Sequence, residues 1–265
     1  MPTVDVSGAR LWYDEAGPVA FEGGETVLLL HGGLGDSGLW EPVVPFLAER
    51  FRTIRTDLRF FGRSTGPAVS WSWQKDVIGV LDELGIGRAA LVGLSLGGRI
   101  ALDVALAHPD RLWAVAGVAP GLAGHDGAAY SEEQGARYEA AEAAGDLEAA
   151  MAVDFEVWAP LGADDRIRQL WRATPDANPL PDGVEPLAPA GAPAKERLGE
   201  LAVPTLVVTA AHDPAGFREI GPLVASAAPD ARHVELDSDH YVTLREPELL
   251  AGVLLDFLTA AAPQE

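Results

Sequence analysis

The sequence predicts an α/β protein: a mainly parallel, eight-stranded sheet with helices on both faces and one helical insertion. Three observations lead there. Apolar runs of strand length alternate with segments of helical period, the pattern of βα units. Some of these runs end in loops rich in glycine or acid, as at His31-Gly32-Gly33 and Ala211-His212-Asp213. The alternation stops over residues 121–200 and then resumes, which separates a core (residues 1–120 and 201–265) from an insert.

Residues 3–6 and 9–14 read as two strands around a Ser7-Gly8 turn. After Gly23-Gly24, residues 26–30 (Thr-Val-Leu-Leu-Leu) form a continuous apolar run, which suits a central strand buried on both faces. Trp40, Val43, Val44, Leu47 and Phe51 then recur at helical spacing, with Pro42 tolerable in a first turn. Residues 51–56 read as a strand and 57–64 as a loop. Trp73, Val77, Val80, Leu81 and Leu84 mark the next helix, and residues 89–92 the next strand. Ile100, Leu102, Val104 and Leu106 lie on a further amphipathic helix before a strand at 112–118.

The insert is expected to be helical from about residue 131 to 158 and proline-rich thereafter, through Pro175, Pro179, Pro181, Pro186, Pro189 and Pro193. Phe155, Trp158, Leu170 and Trp171 need burial, so the insert reads as a folded lid rather than as disorder. Strands at 204–209 and 231–236 enclose a helix carrying Phe217, Ile220, Leu223 and Val224. Leu249, Leu250, Val253, Leu254, Phe257 and Leu258 form a closing helix.

Composition narrows the function. The 265 residues, 48% hydrophobic, suffice for a large core. A formal charge of −21 disfavours nucleic acid and anionic membranes as partners, since both need a cationic surface. There are no cysteines, which excludes disulfides, thiolate metal sites and cysteine nucleophiles. Neither a membrane-length apolar run nor a signal-peptide pattern opens the chain, so a cytoplasmic protein is expected.

Chemistry centres on Gly93-Leu94-Ser95-Leu96-Gly97, which fits G-x-S-x-G between a strand and a helix. Glycines on either side let the two backbones approach closely around a serine whose hydroxyl projects from the sheet. Loops that follow parallel strands gather at one sheet edge, which brings Gly33, Ser95, Asp213 and His240 to the same side.

These motifs, with residues 57–64 and the Glu246-Pro247 that follows Asp239-His240, run through the whole chain. On them the chain resembles the α/β-hydrolases, of the small-lid esterase, lactonase and C–C hydrolase type, and Ser95, Asp213 and His240 follow the family's chain order. The resemblance implies a Ser95 nucleophile, a His240 base that takes its proton, and an Asp213 carboxylate that orients the imidazole and stabilises its charge. It also implies an oxyanion hole built from the backbone N–H groups of Gly33 and Leu96. Phe60, Phe61, Trp158 and Trp171 are candidate pocket residues.

His31 is expected to shape the oxyanion loop, and His212 is the weaker base candidate. Asp237, Asp239 and His240 lack a second cluster to complete a metal site. Two departures from the family pattern stand out: Phe60 and Asp239 occupy positions where glycine is common. A carboxylate of Asp239 close to His240 would raise the pKa of the base.

The expected activity is hydrolysis of a small-molecule ester or lactone through an acyl-serine, without a cofactor or metal. The same triad could serve C–C hydrolysis, perhydrolysis or cyanohydrin cleavage, and the fold could serve as a non-catalytic binding module. The oligomeric state is not readable from the sequence.

Overall fold

The structure, a computed structural model, describes residues 2–18, 25–67, 69–174 and 184–263. Gly23 and Gly24, and Pro175, Pro179 and Pro181 of the proline-rich stretch, lie outside the described residues.

The chain opens with β1 (Thr3–Val6) and β2 (Ala9–Ala16), antiparallel about Ser7 and Gly8. Both turn residues have positive φ, the right-handed-twist hairpin geometry. β3 (Thr26–Leu30), a short α1 (Val44–Leu47), β4 (Arg52–Thr56), α2 (Trp73–Glu83), β5 (Ala89–Leu94), α3 (Leu96–Ala107) and β6 (Leu112–Val118) follow. The insert holds α4 (Glu132–Ala144), α5 (Leu147–Trp158), α6 (Asp165–Trp171) and α7 (Ala194–Arg197). The core resumes with β7 (Thr205–Ala210), α8 (Ala215–Arg218), α9 (Ile220–Ala227), β8 (Ala231–Leu236), α10 (Val242–Arg245) and α11 (Pro247–Ala261).

Eight strands form one sheet in the order β1-β2-β4-β3-β5-β6-β7-β8, parallel from β4 to β8. β3 lies between β4 and β5, so the chain leaves it in one direction and later returns on its other side. The crevice past the end of β3 is therefore the topological switch point, where ligands bind in open α/β sheets.

Two cores sandwich the sheet. Val27 and Leu29 of β3 face one, with Val92, Ala116, Val208, Leu254 and Phe257. Leu28 and Leu30 face the other, with Leu91, Val115, Ile100, Val104 and Val80. The period-two alternation explains why the whole β3 run is apolar. Phe155, Trp158, Leu170 and Trp171 of the insert join the first core, which makes the insert a packed extension of the domain.

Three helical expectations are modified. The 40–51 segment is a 3-10 turn at Ser37–Trp40 followed by the single turn α1, because Pro42 and Pro45 lack the N–H groups a continuous helix needs. The 131–158 stretch is two helices: Gly145 ends α4 in the left-handed region, and the Asp146 carboxylate caps α5 by accepting from Ala149 N at 3.0 Å. The segment carrying Phe217, Ile220 and Val224 divides into α8 and α9. In α11, Leu249 points to solvent at 52% exposure, outside the apolar face formed by Leu250, Leu254 and Phe257.

Candidate active site

Ser95 joins β5 to α3 with φ +51° and ψ −111°, a left-handed conformation that costs a β-carbon-bearing residue about 1–3 kcal/mol. The flanking glycines explain how it is held. A Cβ on Gly93 would lie 2.1 Å from the Gly97 carbonyl oxygen, and one on Gly97 would lie 2.3 Å from that of Leu30. Ser95 N donates to Val118 O at 2.9 Å, and Ser95 O accepts from Arg99 N and Gly121 N. The turn is thus locked to the two flanking elements while Ser95 itself stays partly exposed.

Past β7 and β8 lie Asp213 and His240. Nδ1 of His240 stands 3.0 and 3.1 Å from the two carboxylate oxygens of Asp213, and both side chains are buried. A carboxylate only accepts, so Nδ1 carries the hydrogen and Nε2 keeps the lone pair. Nε2 is buried and makes no hydrogen bond among the described residues. In its neutral form the imidazole therefore presents Nε2 as the free basic nitrogen.

The loop after β3 runs beside the serine turn. A Cβ on Gly32 would lie 3.3 Å from Ser95 Cβ, and one on Gly33 would lie 3.9 Å from Leu96 Cδ2. Gly97 N donates to His31 O at 3.1 Å, which ties loop to turn. The N–H groups of Gly33 and Leu96 have no hydrogen-bond partner among the described residues, and a first-turn N–H such as that of Leu96 has none within its helix. Two free donors beside a serine can receive negative charge on a carbonyl oxygen.

His31 has the structural place expected of it. Its Nδ1–H donates to Gly32 O at 2.8 Å, Nε2 accepts from Leu58 N at 2.9 Å, and the ring is fully buried against Phe61. Burial pushes the imidazole pKa down, which favours the neutral form that both bonds require. Asp57 holds the neighbouring loops. Burial alone would raise its pKa, but hydrogen bonds from Arg63 and Ser37 N outweigh that and hold the carboxyl below its ordinary value.

The four candidate pocket residues separate. Trp158 reaches the site, its ring centroid 4.4 Å from that of His240. Phe61 is buried and packs edge-on against His31. Trp171 is interior to the insert, 1% exposed, and donates Nε1–H to Asp154. Phe60 adopts φ +68°, so this loop keeps the glycine-favouring course and accepts the strain, with its ring edge-on to Trp71 at 5.0 Å.

Asp239 does not hydrogen-bond His240. Its fully buried carboxylate accepts from Arg245 Nε at 2.6 Å and from the backbone N–H groups of Tyr241 and Leu161 at 3.2 Å. His212 pairs with Asp237 at the surface. Among the described residues no cluster of His, Cys, Asp or Glu could hold a metal ion, and no helix is long and apolar enough to cross a membrane. Sequence reasoning missed Phe217, 5.4 Å from His240, together with Tyr130 and Asp154 behind Trp158. The one available signal was an acid, Asp154, between the apolar Val153 and Phe155. A cleft of about 350 Å³ between α3 and residues 188–197 includes neither Ser95 nor His240 among its walls.

Comparisons with known proteins agree with this architecture. Residues 25–247 match the model of the alpha/beta hydrolase fold family. The RutD protein of Azorhizobium caulinodans, a proposed carbamate hydrolase, is 28% identical over 97% of this chain and 98% of its own. The 2-hydroxy-6-oxo-6-phenylhexa-2,4-dienoate hydrolase of Comamonas testosteroni is 35% identical over 127 residues, 44% of this chain and 42% of that one. The crystal structure of the enol-lactonase from Burkholderia xenovorans LB400 is 26% identical, covers 97% of this chain and 100% of its own, and superposes with a TM-score of 0.71. With the family model matched along most of its length, this chain is an α/β-hydrolase, a member of the alpha/beta hydrolase fold family.

Proposed function

We propose that this hydrolase cleaves a small-molecule carboxylic ester or lactone through an acyl-serine intermediate. The observation that carries the reading is the His240–Asp213 pair, whose geometry leaves Nε2 as a free base on the sheet edge that bears the strained Ser95 turn. Ser95 Oγ attacks the carbonyl carbon as its proton passes to His240 Nε2, and Asp213 stabilises the imidazolium. The N–H groups of Gly33 and Leu96 receive the oxyanion. Collapse breaks the C–O bond, and the alkoxide leaves with the proton from His240. A water then repeats the sequence on the acyl-serine and releases the acid. No step needs a cofactor or a metal.

Residues 121–200 act as the lid in this reading, with Trp158 and Phe217 as aromatic walls beside the base. Likeness to an enol-lactonase over essentially both whole chains supports an ester or lactone substrate. The partial match to a dienoate hydrolase supports C–C cleavage on the same residues as the second reading. A panel of esters and lactones of varied acyl size, run beside the C–C substrate of that relative, separates the two. Turnover of at least one ester or lactone, abolished in Ser95→Ala with the fold intact, is expected. Activity retained in Ser95→Ala, or turnover of the dienoate alone, refutes the ester or lactone assignment.

A further inference from the structure

Within the insert, α5 carries a carboxylate where packing alone calls for an apolar residue. Asp154 is 1% exposed, flanked by Val153 and Phe155, and forms no ion pair among the described residues. Its Oδ1 accepts from the Tyr130 hydroxyl and its Oδ2 from Trp171 Nε1–H at 2.5 Å. The Tyr130 oxygen in turn accepts from Trp158 Nε1–H at 2.8 Å. The other side of this chain is the catalytic base: the Trp158 ring lies 4.4 Å from His240, and Phe217 stands edge-on to both.

We propose that Asp154 is a positioning residue which, through Tyr130 and Trp158, seats the ring of His240 so that its Nε2 lone pair is held toward Ser95. The proposal rests on the acyl-serine reading. Asp213 fixes the tautomer and holds one nitrogen, yet bonds at one nitrogen leave the ring free to rock about that anchor. The Trp158 indole, tilted against the imidazole, removes this freedom, and beside its ring packing the indole is oriented by a hydrogen bond at Nε1.

The direction of the hydrogen bonds matters. Indole N–H groups only donate, and an ionised carboxylate only accepts. Asp154 therefore draws the single Tyr130 proton toward itself and leaves the Tyr130 lone pairs facing Trp158. Burial, with a smaller push from Glu142, raises the Asp154 carboxyl pKa above its ordinary value, and the bonds from Tyr130 and Trp171 offset only part of that rise. An asparagine at 154 must give its carbonyl to Trp171, which turns its NH₂ group on Tyr130 and leaves the tyrosine proton without an acceptor.

The test is the rate at which a fluorophosphonate labels Ser95, with kcat and KM for one ester, in Asp154→Asn, Tyr130→Phe, Trp171→Phe and the Asp154→Asn/Tyr130→Phe double variant. Asp154→Asn and Tyr130→Phe are expected to lower labelling and kcat by about ten- to a hundredfold with KM little changed. The double variant is expected to be no worse than the worse single, since both act through one chain. Trp171→Phe removes a bond to the same carboxylate but leaves the Tyr130–Trp158 branch. It should lose thermal stability and keep labelling within about twofold. Folded Asp154→Asn and Tyr130→Phe proteins that label at the wild-type rate overturn the proposal, as does a Trp171→Phe as slow as Tyr130→Phe. If Asp154→Asn does not fold, Tyr130→Phe and Trp171→Phe decide the matter by the same criteria. A wild-type protein that is not labelled at Ser95 removes the acyl-serine reading, and this inference falls with it.

Discussion

The two nitrogens of His240 sit in different surroundings: Nδ1 is shared between both oxygens of Asp213, and Nε2 has no partner among the described residues. That asymmetry is what a general base needs, because the tautomer is decided before substrate arrives. In Asp213→Asn the amide NH₂ would donate to Nδ1 and place the ring hydrogen on Nε2, filling the lone pair that the proposed mechanism uses on Ser95. Steady-state kinetics on a substrate of the wild type should show kcat lower by about 10³–10⁴-fold in this variant, with the protein still folded. A loss of less than about tenfold would show that Asp213 does not set the tautomer. The residues of this pair were legible in the sequence because their order and their places after strand-like runs are both sequence properties. The directions in which other carboxylates point were not. Asp239 adjoins His240 in the chain, yet its carboxylate faces Arg245 and the backbone of Leu161.

Between elements, Asp239 is a fastener. It joins the loop that bears His240 to the turn after α5, and Arg245 adds a second bond from α10 to the Gly162 carbonyl. Asp239→Asn removes a buried negative charge from beside Arg245 and weakens bonds to two backbone N–H groups. The midpoint of thermal unfolding should fall by several degrees, while the acidic limb of the kcat/KM profile stays in place because this carboxylate makes no bond to the imidazole. A displaced limb would show that the charge acts on His240 directly. Strands were readable at this scale and short helices less so. Strands such as β3 and β6 are continuous apolar runs, so their bounds follow from composition. The segment around Pro42 and Pro45 keeps a helical apolar period although its backbone cannot complete the bonds, so periodicity alone overstates it. The roles of Trp158 and Trp171 were not separable either, because which indole turns toward His240 depends on partners such as Tyr130 and Asp154 that periodicity does not reveal.

Over the whole molecule, 40 acidic residues stand against 19 basic ones, and several of the carboxylates are buried, which ties stability to pH. Asp103, on α3 behind the serine turn, is a clear case: burial pushes its pKa up to about 6, against the pull of Arg99 and Arg197. Because its folded-state pKa lies above the unfolded value, the folded protein binds more protons between about pH 4 and 6, so stability falls as pH rises through that window and the cost is fully present above it. Asp103→Asn should therefore be more stable than wild type at pH 7.5, by on the order of 1–2 kcal/mol, unfold at a higher temperature there, and lose the advantage near pH 4. An advantage that is equal at both pH values would contradict the linkage.

The central claim is that Ser95 becomes acylated. Intact-protein mass spectrometry after mixing with an activated ester and quenching in acid tests it most directly. A mass gain equal to one acyl group, mapped to Ser95 and absent from Ser95→Ala, is the predicted result. Hydrolysis of the activated ester by the wild type with no adduct at any time from rapid mixing to steady state, or an adduct on another residue, would contradict it.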